Sequence, residues 1–329
     1  MSRYDIVGVG NALVDILSHC DDGFLQANGV EKGIMQLIDE ARASELYGVM
    51  GPATEASGGS AANTIAGAAM LGAKTAYFGK VKDDQLGAIF AHDIRAIGVT
   101  YETPLAAKSE DHETGRCMVL VTPDGERSMN TYLGVSEALG PDDIDPAICA
   151  EANWLYLEGY RFDGPASVAA FDKAIMACKD GGGRVSITLS DPFCVDRHRE
   201  AFKALIAQHT DLLFANEHEV MSLYETDELD EAMTRVAQDV DMAAITVGAR
   251  GAYVVTQTET IHVPTAATKI VDATGAGDLF AAGFLAGLTS GRDLATCASM
   301  GCVAAGEVIG HIGPRPEADL KALMAERGL

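Results

Sequence analysis

Short apolar runs alternate with longer helical stretches along most of the chain. The first run is YDIVGVG at residues 4–10, and the later runs NWLYLEGY, RVSITLS, DLLFAN and MAAITVG each precede a helical or turn segment. Runs of this kind predict buried strands, and their alternation with helices predicts right-handed βαβ crossovers. We therefore predict an α/β fold with a mainly parallel sheet that is covered by helices on both faces.

Two segments, residues 11–38 and 101–135, break this alternation. They contain the shorter runs ALVDILSHC, GIMQLI, TGRCMVLV and ERSMNTYL, and the turn TPDGE places Asp124 and Gly125 at a hairpin tip. The pattern predicts four antiparallel strands that form a small lid beside the carboxyl edge of the main sheet. Residues 1–10, 39–100 and 136–329 are then the core of one compact unit.

Composition narrows the class of protein. The chain has 329 residues, a formal net charge of −24 and seven cysteines without CxxC spacing. The excess of carboxylates argues against nucleic-acid partners, and the scattered cysteines indicate reduced thiols rather than a metal site. No run reaches the ~18 apolar residues of a membrane span, and the N-terminus enters a strand directly instead of a signal peptide. We expect a cytoplasmic protein.

The stretch GVGNAL at residues 8–13 invites comparison with the dinucleotide-binding fingerprint GxGxxG. Its third glycine is replaced by Leu13, and the residues that follow indicate a strand instead of a helix. A GxxxxGK[ST] phosphate loop does not occur in the sequence. The glycines therefore give little support to an NAD-dependent dehydrogenase, and a Walker-type nucleotide site is excluded.

Residues 272–285, DATGAGDLFAAGFL, place a lone carboxylate, Asp278, at the start of an apolar helix. Gly275, Ala276 and Gly277 fall in its first turn, where unpaired N–H groups and the helix dipole favour an anion. Asp278 is a helix cap in one interpretation. In the other it takes the proton of an acceptor hydroxyl while the N–H groups stabilise a transferring phosphoryl group.

A second glycine-rich stretch, SGGSAANTIAGAAMLG at residues 57–72, precedes a helix of very small residues. Gly58 and Gly59 allow close approach of the backbone to a ligand, Ser60 is a candidate helix cap, and Asn63 is polar on an otherwise apolar helix. Tight helix–sheet packing explains the same small residues. Both interpretations stay open at this point.

Polar groups also follow two later strands. Asn216 and Glu219, after DLLFAN, lie at the edge where parallel sheets bind ligands, and they either hold Mg²⁺ through water or begin a solvated helix. Thr246, Gly248 and Gly251 close the next strand. They form either a simple turn or one wall of a nucleotide pocket.

Taken together, these stretches resemble the signatures of the ribokinase-like pfkB family of sugar and nucleoside kinases. DATGAGD is similar to DTxGAGD, GGSAANTIAGAAMLG to GGxxxN with its small-residue helix, NEHE to the NxxE magnesium motif, and TVGARGAYV to the TxGxxG segment. They occur in the family's order across nearly the whole chain. The resemblance implies a three-layer αβα core with a β lid, and transfer of a phosphoryl group from ATP to an alcohol.

Further stretches resemble the nucleoside kinases of this family. GNALVDI, TGRCMVLV with its hairpin, SITLSDPF and FANEHEV are similar to segments of the members that phosphorylate adenosine. The resemblance implies transfer to the 5′-hydroxyl of a nucleoside, adenosine, to give AMP for purine salvage. Ribose, a hexose or another nucleoside stays open as the acceptor, as does a nucleotide-binding regulator without turnover.

The resemblance also implies a role for each matched residue. Asp278 is the general base, and Gly275, Ala276 and Gly277 form the anion hole. The ribose hydroxyls contact Asn11, Asp15, Gly58, Gly59 and Asn63. The nucleobase contacts Leu13, Cys117, Leu133, Tyr160 and Phe193. ATP lies near Asn216, Glu219, Thr246, Gly248, Gly251 and Arg127, with Mg²⁺ held through water by Asn216 and Glu219. Asp272 matches a residue beside a monovalent-cation site that K⁺ occupies in the family.

The chain departs from the nucleoside kinases at three positions. Arg161 stands where they have an aromatic residue that stacks on the purine, which leaves Tyr160 as the stacking candidate. Thr274 and Thr188 replace asparagines, in the anion-hole motif and before the LSDPF stretch respectively. The resemblance also implies a monomer instead of the dimers that form through paired lid sheets.

Overall fold

The computed structural model describes residues 3–329, whose elements follow the predicted alternation closely. The strands are β1 (Tyr4–Val9), β2 (Leu13–His19), β3 (Met35–Leu37), β4 (Ala53–Gly58), β5 (Thr75–Phe78), β6 (Thr114–Val121), β7 (Arg127–Gly134), β8 (Ala152–Glu158), β9 (Arg184–Thr188), β10 (Leu212–Asn216), β11 (Met242–Thr246), β12 (Ala252–Thr256) and β13 (Thr260–Val263). The α-helices are α1 (Asp22–Ala27), α2 (Glu40–Val49), α3 (Ser60–Met70), α4 (Gln85–Ala96), α5 (Pro146–Ala150), α6 (Ser167–Asp180), α7 (Pro192–His209), α8 (Glu217–Tyr224), α9 (Leu229–Asp239), α10 (Ala276–Thr289), α11 (Leu294–Val308) and α12 (Leu320–Glu326).

The larger sheet has eight strands in the order β13-β12-β11-β10-β9-β8-β1-β5. Strands β5, β1, β8, β9, β10 and β11 are mutually parallel. At one edge, β12 pairs antiparallel with both β11 and β13, so β12 alone runs in the opposite direction. Because βαβ crossovers connect the parallel strands, helices cover both faces. The predicted α/β fold is confirmed.

Side chains of β1 show how the two faces are filled. Ile6 packs into a cluster with α3, α4, α10, α11 and α12, whereas Val7 and Val9 pack into the cluster formed with α5 to α9. All three side chains are fully buried, as expected for a strand covered on both faces. The three-layer αβα core is therefore confirmed.

Helices α3 and α10 approach each other closely because small residues line their contact. A Cβ atom at Gly67 would lie 2.5 Å from Leu279 Cδ1 and 2.9 Å from Ala282 Cβ, so only glycine fits there. The packing interpretation of the small-residue helix is thus correct along its length. Its consequence is that the N-terminal turns of the two helices lie side by side.

The second sheet is small and separate, as predicted, but its pairing is mixed instead of antiparallel. Its order is β3-β7-β6-β2-β4, with β2 parallel to β6 and β3 parallel to β7. Strands β2 and β6 both begin where the chain leaves the core, so they run in the same direction. Only the β2–β4 and β6–β7 pairs are antiparallel, and the latter is the predicted Asp124–Gly125 hairpin.

A fifth strand of this lid sheet, β4, lies in residues that the sequence assigned to the core. Its sequence is ATEASG, and its first three residues are exposed. It therefore shows no alternation of apolar and polar side chains from which a strand could be predicted. The lid sheet consequently includes residues 53–58 in addition to strands of both predicted segments.

The two faces of the lid sheet differ because successive side chains of a strand point to opposite sides. Ile16, Met118 and Tyr132 pack beneath α1 and α2. Leu13, Cys117 and other side chains of the opposite set face the carboxyl edge of the main sheet. The lid thus presents one face to its own helices and the other to the core.

Two observations on residues 3–329 concern membrane spans and metal sites. No helix within residues 3–329 combines the length and apolar character required to cross a bilayer. The seven cysteines are all free, and no cluster of three or more His, Cys, Asp or Glu side chains in this range has the geometry of a metal site.

Gly283 supplies a test of the packing around α10. A Cβ atom there would lie 2.5 Å from Met300 O and 2.8 Å from Gly301 Cα, which are backbone atoms of α11. We expect Gly283→Ala to lower the free energy of unfolding by ~1–3 kcal/mol, because the helices must separate. Chemical denaturation measures the change.

The matched control for this prediction is Gly306→Ala on α11. A Cβ there meets only Thr268 Oγ1, at 3.4 Å. We expect this variant to be neutral or stabilised by up to ~1 kcal/mol, since alanine favours a helix over glycine. Equal destabilisation of both variants would contradict the packing account.

Candidate active site

A cavity of about 530 Å³ lies between the lid and the carboxyl edge of the main sheet. Asn11, Glu158, Thr188, Asn216 and Thr246 line it at the ends of β1, β8, β9, β10 and β11. Open parallel sheets bind ligands at this edge. The lid contributes the opposite wall, so the cavity has one side on each sheet.

Asp278 lies in this cavity on the first turn of α10. Its Oδ1 accepts a hydrogen bond from Ser60 Oγ at 2.7 Å, and its Oδ2 accepts one from Asn63 Nδ2 at 3.0 Å. Burial raises the pKa of Asp278, while the bonds from Asn63 and Ser60 lower it. A carboxylate whose proton affinity is raised by a dry environment is suited to accept a proton.

Backbone groups of the same turn overlap only in part with the predicted anion hole of Gly275, Ala276 and Gly277. Gly275 is the N-cap, with a left-handed φ of 81°. The N–H groups of Gly277 and Asp278 have no backbone partner among residues 3–329, whereas Ala276 N–H is 3.4 Å from Ala273 O. The free N–H groups and the positive end of the helix dipole favour an anion beside Asp278.

Ser60 has a different role from the helix cap that the sequence indicated. The N-cap of α3 is Gly59, with a φ of 95° and no side-chain cap. A Cβ atom at Gly59 would overlap the carbonyl oxygen of Asn11, so glycine is required there. The Ser60 hydroxyl is thereby free to reach Asp278 on the neighbouring helix.

The lid wall of the cavity is largely apolar. It contains the predicted residues Leu13, Cys117 and Leu133, and it also includes Ile34, Met35, Leu37 and Met129. Phe193 faces this wall from the start of α7 and remains 46% exposed. Tyr160 joins it, held by hydrogen bonds to Ser190 from its N–H at 3.2 Å and its hydroxyl at 3.3 Å.

Asp15 is the buried carboxylate of the lid wall, whereas Glu126, which also lines the cavity from the lid, is exposed. Asp15 is only 6% exposed, and none of residues 3–329 donates a hydrogen bond to its carboxylate. A Cβ at Gly58 would overlap this carboxylate, which explains the first glycine of the pair. Burial raises the pKa of Asp15 to about 7, against the opposing charge of Arg315.

Asn11 lines the cavity, but its side chain is committed to protein partners. Its Nδ2 donates to Glu158 Oε1 at 2.7 Å, and its Oδ1 accepts from Ser136 Oγ at 2.9 Å and Arg161 Nη1 at 3.0 Å. Both lone pairs of the amide oxygen are therefore used. One Nδ2 hydrogen of Asn11 has no partner among residues 3–329, and the contact with ribose stays a prediction.

Arg161 also differs from the sequence-based interpretation. It is 1% exposed and does not line the cavity, so it does not take the position of a stacking aromatic residue. It lies in the 3-10 turn Gly159–Asp163, and its guanidinium donates to oxygen atoms of Asn11, Ser136 and Leu139. The departure at this position consequently leaves the apolar wall intact.

Asn216 and Glu219 line the cavity as a closed capping box at the start of α8. Asn216 N–H and Nδ2 donate to the Glu219 carboxylate at 2.9 and 2.6 Å, and Asn216 Oδ1 accepts from Glu219 N–H at 2.9 Å. Burial raises the pKa of Glu219 to about 7. The helix-start interpretation is correct, and the pair still presents oxygen atoms to the cavity.

The remaining predicted positions divide into two groups. Thr246 and Gly248 line the cavity. Gly251 does not, because it turns at a φ of 96° against the backbone of Val263. Asp272 is fully buried, and its carboxylate accepts from Thr274 N–H at 2.9 Å, from the Thr274 hydroxyl and from Gly313 N–H at 3.0 Å. These bonds order the loop before α10, and the cation contact stays a prediction.

Arg127 extends from the lid into this acidic cavity. It is the one arginine or lysine among residues 3–329 that lines the cavity, whose lining carboxylates are Asp15, Glu126, Glu158, Asp163, Asp191, Glu217, Glu219 and Asp278. Its Nη1 is buried without a hydrogen-bond partner in the described part of the chain. An unpaired guanidinium N–H inside a cavity indicates a site for an anionic group.

Comparison with known proteins assigns the chain to a family. The model described as pfkB family carbohydrate kinase matches residues 37–320. The chain belongs to the pfkB family. It is therefore an ATP-dependent kinase of a family that phosphorylates sugars or nucleosides and uses a divalent metal with ATP.

Relatives within the pfkB family carry different names. A probable sugar kinase from Rhizobium etli has a TM-score of 0.97 and 49% identity, covering 100% of this chain and 99% of its own. The adenosine kinase from Sinorhizobium meliloti has a TM-score of 0.96 and 48% identity, covering 100% of both chains. An ATP-dependent ribose-1-phosphate kinase from Halopiger xanaduensis is 33% identical over 281 residues, covering 83% of this chain and 88% of its own.

The unpaired carboxylate of Asp15 predicts a pH-dependent cost to stability in this pfkB kinase. The pKa of Asp15 is about 7 in the folded protein and ~3.9 in an unfolded chain, so its contribution favours folding at low pH and is lost as pH rises through about 7. We expect Asp15→Asn to raise the free energy of unfolding near pH 8, by at most ~4 kcal/mol, and to change it little below about pH 4.5.

Urea unfolding of both proteins at the two pH values measures this difference. The pKa values of Glu158 and Glu219 are also raised to about 7, but both residues are present in both proteins. Their pH-dependent contributions to the free energy of unfolding therefore cancel in the comparison. Glu55→Gln, at an exposed position of β4, is the matched control and should have a small effect at either pH. Equal stability of wild type and Asp15→Asn near pH 8 would contradict the account.

Proposed function

We propose that this pfkB kinase is an adenosine kinase, which transfers the γ-phosphoryl group of ATP to the 5′-hydroxyl of adenosine. The observation that carries the proposal is the apolar lid wall that faces Asp278 across the cavity. The full-length similarity to the adenosine kinase from Sinorhizobium meliloti supports it.

The shape of the lid wall favours a nucleoside over a free sugar. A sugar exposes hydroxyl groups on every side and requires polar partners, because unpaired polar groups are costly to bury. Here Leu13, Cys117 and Leu133 offer no such partners, apart from the thiol that Thr131 Oγ1 reaches at 3.3 Å. A flat nucleobase is the part of an acceptor that this wall fits, with Tyr160 or Phe193 as its stacking partner.

The charge of the cavity favours a neutral acceptor over a sugar phosphate. Ribose 1-phosphate would bring an anion to the lid side, where Asp15 is buried and Arg127 is the one permanent cation that lines the cavity among residues 3–329. The phosphates of ATP already require that cation. Adenosine is uncharged, so the carboxylates of the cavity do not oppose its binding as they oppose the phosphate group of a sugar phosphate.

The mechanism follows from the first turn of α10. The ribose binds between Asp15 and Asn63, and its 5′-hydroxyl replaces Ser60 as the hydrogen-bond donor to Asp278. Asp278 then accepts the proton while the 5′-oxygen attacks the γ-phosphorus in line. The bond from the γ-phosphorus to the β,γ-bridging oxygen breaks, ADP leaves with that oxygen, and the free N–H groups stabilise the phosphoryl charge. Arg127 neutralises the phosphates when the lid closes, and closure excludes water.

The residues at α8 fit an Mg²⁺ ion that arrives with ATP. Magnesium prefers oxygen ligands and keeps several waters, so it needs few direct protein contacts. Asn216 and Glu219 satisfy each other by hydrogen bonds, which suits contact through water better than direct coordination. When bound, the ion neutralises charge on the phosphates.

Asp278→Asn tests the role of the general base. We expect kcat for adenosine to fall by ~10²–10⁴-fold, because asparagine keeps the hydrogen-bonding shape but accepts no proton. The KM values should change little, and circular dichroism should confirm the fold. Turnover near that of the wild type would remove Asp278 from the mechanism.

The identity of the acceptor is tested by measuring ADP release from ATP and Mg²⁺ with each candidate acceptor in turn. The candidates are adenosine, inosine, guanosine, cytidine, ribose, fructose and ribose 1-phosphate. We expect kcat/KM to be highest for adenosine. A higher value for a sugar, a sugar phosphate or another nucleoside would overturn the acceptor and keep the Asp278 chemistry. Silence with every acceptor, despite ATP binding, would support the nucleotide-binding regulator. The monomeric state stays a prediction that light scattering on a sizing column decides.

A further inference from the structure

The chain crosses between the core and the lid through short connecting segments, which we call passages. Three of these passages lie next to one another in one buried region. The chain enters the lid at Asn11, between β1 and β2, and returns at Gly59, between β4 and α3. It returns a second time after β7, at the 3-10 turn Val135–Ala138. Movement of the lid relative to the core must change the backbone at these passages.

Glu158, at the end of β8, binds two of the three passages. Its Oε2 accepts from Ala61 N–H at 2.8 Å and from Asn11 N–H at 3.2 Å, and its Oε1 accepts from Asn11 Nδ2 at 2.7 Å. Glu158 is 1% exposed, so these bonds replace its hydration. One carboxylate of the core thus fastens the start of β2 to the start of α3.

Arg161 binds the third passage to the first. Its Nη1 donates to Ser136 O at 2.7 Å and to Asn11 Oδ1 at 3.0 Å, and its Nη2 donates to Leu139 O at 2.9 Å. The Ser136 hydroxyl bridges the same two passages, donating to Asn11 Oδ1 at 2.9 Å and accepting from Ala12 N–H at 3.2 Å. We call Asn11, Ser136, Glu158 and Arg161 the hinge cluster.

A buried arginine at this place requires an explanation beyond packing. Burial lowers the pKa of Arg161, and the nearby Glu158 carboxylate opposes this effect. Exchanging a buried charged cluster for apolar side chains is often neutral or stabilising, so such a cluster is weak evidence for stability alone. The hinge cluster instead gives directional bonds to the passages that a lid movement must bend.

We propose that Arg161 is a positioning residue that sets the lid over the acceptor site through the hinge cluster. The proposal rests on the proposed function in that it assigns the acceptor to the lid side and ATP to the core side of the cavity. Loss of Arg161 leaves the core residues assigned to ATP at β11, α8 and α10 in place, and of the assigned ATP contacts only Arg127 lies on the lid. It releases the lid strands that carry Leu13, Asp15 and Leu133, so acceptor binding weakens selectively.

The test compares Arg161→Met with the wild type by steady-state kinetics. We expect KM for adenosine to rise about tenfold or more, and KM for ATP to stay within about twofold, since tenfold corresponds to the loss of roughly one good hydrogen bond in the bound state. Arg161→Lys, which keeps the charge and can reach one carbonyl oxygen, should recover part of the affinity for adenosine.

The matched control is Arg235→Met on α9. Arg235 Nη1 donates to Tyr224 O at 2.8 Å, so this variant also loses an arginine that binds a backbone carbonyl, but far along the main sheet from the lid. We expect both KM values to stay near those of the wild type. Equal rises in the KM for ATP and adenosine in Arg161→Met would overturn the proposal and leave the proposed function standing.

Hydrogen exchange of the proteins without substrate gives a readout that does not depend on the acceptor. We expect Arg161→Met to accelerate exchange at the amides of Asn11, Ala12 and Ala61, while β10 and β11 exchange as in the wild type. Uniform acceleration would indicate general destabilisation and contradict a hinge. If adenosine is not phosphorylated by the wild type, the proposed function fails, and this exchange pattern still decides the hinge.

Discussion

The close approach of α3 to α10 is the constraint on which the rest of the site depends. Glycine at position 67 lets Leu279 and Ala282 pack against α3, so the first turns of both helices lie side by side. Ser60 and Asn63 on one helix can therefore hold both carboxylate oxygens of Asp278 on the other. The proposed base is placed by two rigid elements instead of a loop, which favours accurate geometry.

The electrostatic design follows from the same turn. A chain with a formal net charge of −24 must attract a polyphosphate into a cavity lined by carboxylates. Free N–H groups at the start of α10 provide positive potential without a basic side chain, and Arg127 adds one mobile charge from the lid. This division leaves Arg127 as the one arginine or lysine on the cavity side of the lid among residues 3–329, as suits an uncharged acceptor.

Much of the core, and the place of Asp278 in the cavity, could be predicted because each has a local signature. Strands β1 and β8 to β11 are apolar runs followed by helices, and Asp278 is an acidic residue in a glycine-rich first turn. The lid sheet was harder to predict from the sequence. Its strand β4 is polar along its exposed half, and the directions of β2 and β6 depend on where the chain leaves the core.

The site residues show the same limit. The partner of Ser60 lies 218 residues away, and the partners of Arg161 lie on elements that only the folded chain brings together. That a residue is close in sequence to pocket residues says little about the direction in which its long side chain points. For this reason the sequence placed Arg161 at the purine, whereas its guanidinium binds Asn11 and Ser136 in the hinge cluster.

The most direct test of the account is a crystal structure of the protein with adenosine and a non-hydrolysable ATP analogue. The account predicts the 5′-oxygen within hydrogen-bond distance of Asp278, the position now taken by the Ser60 hydroxyl, and the purine against Leu13, Cys117 and Leu133. An adenosine hydroxyl directed away from Asp278, or a purine outside the lid wall, would contradict it.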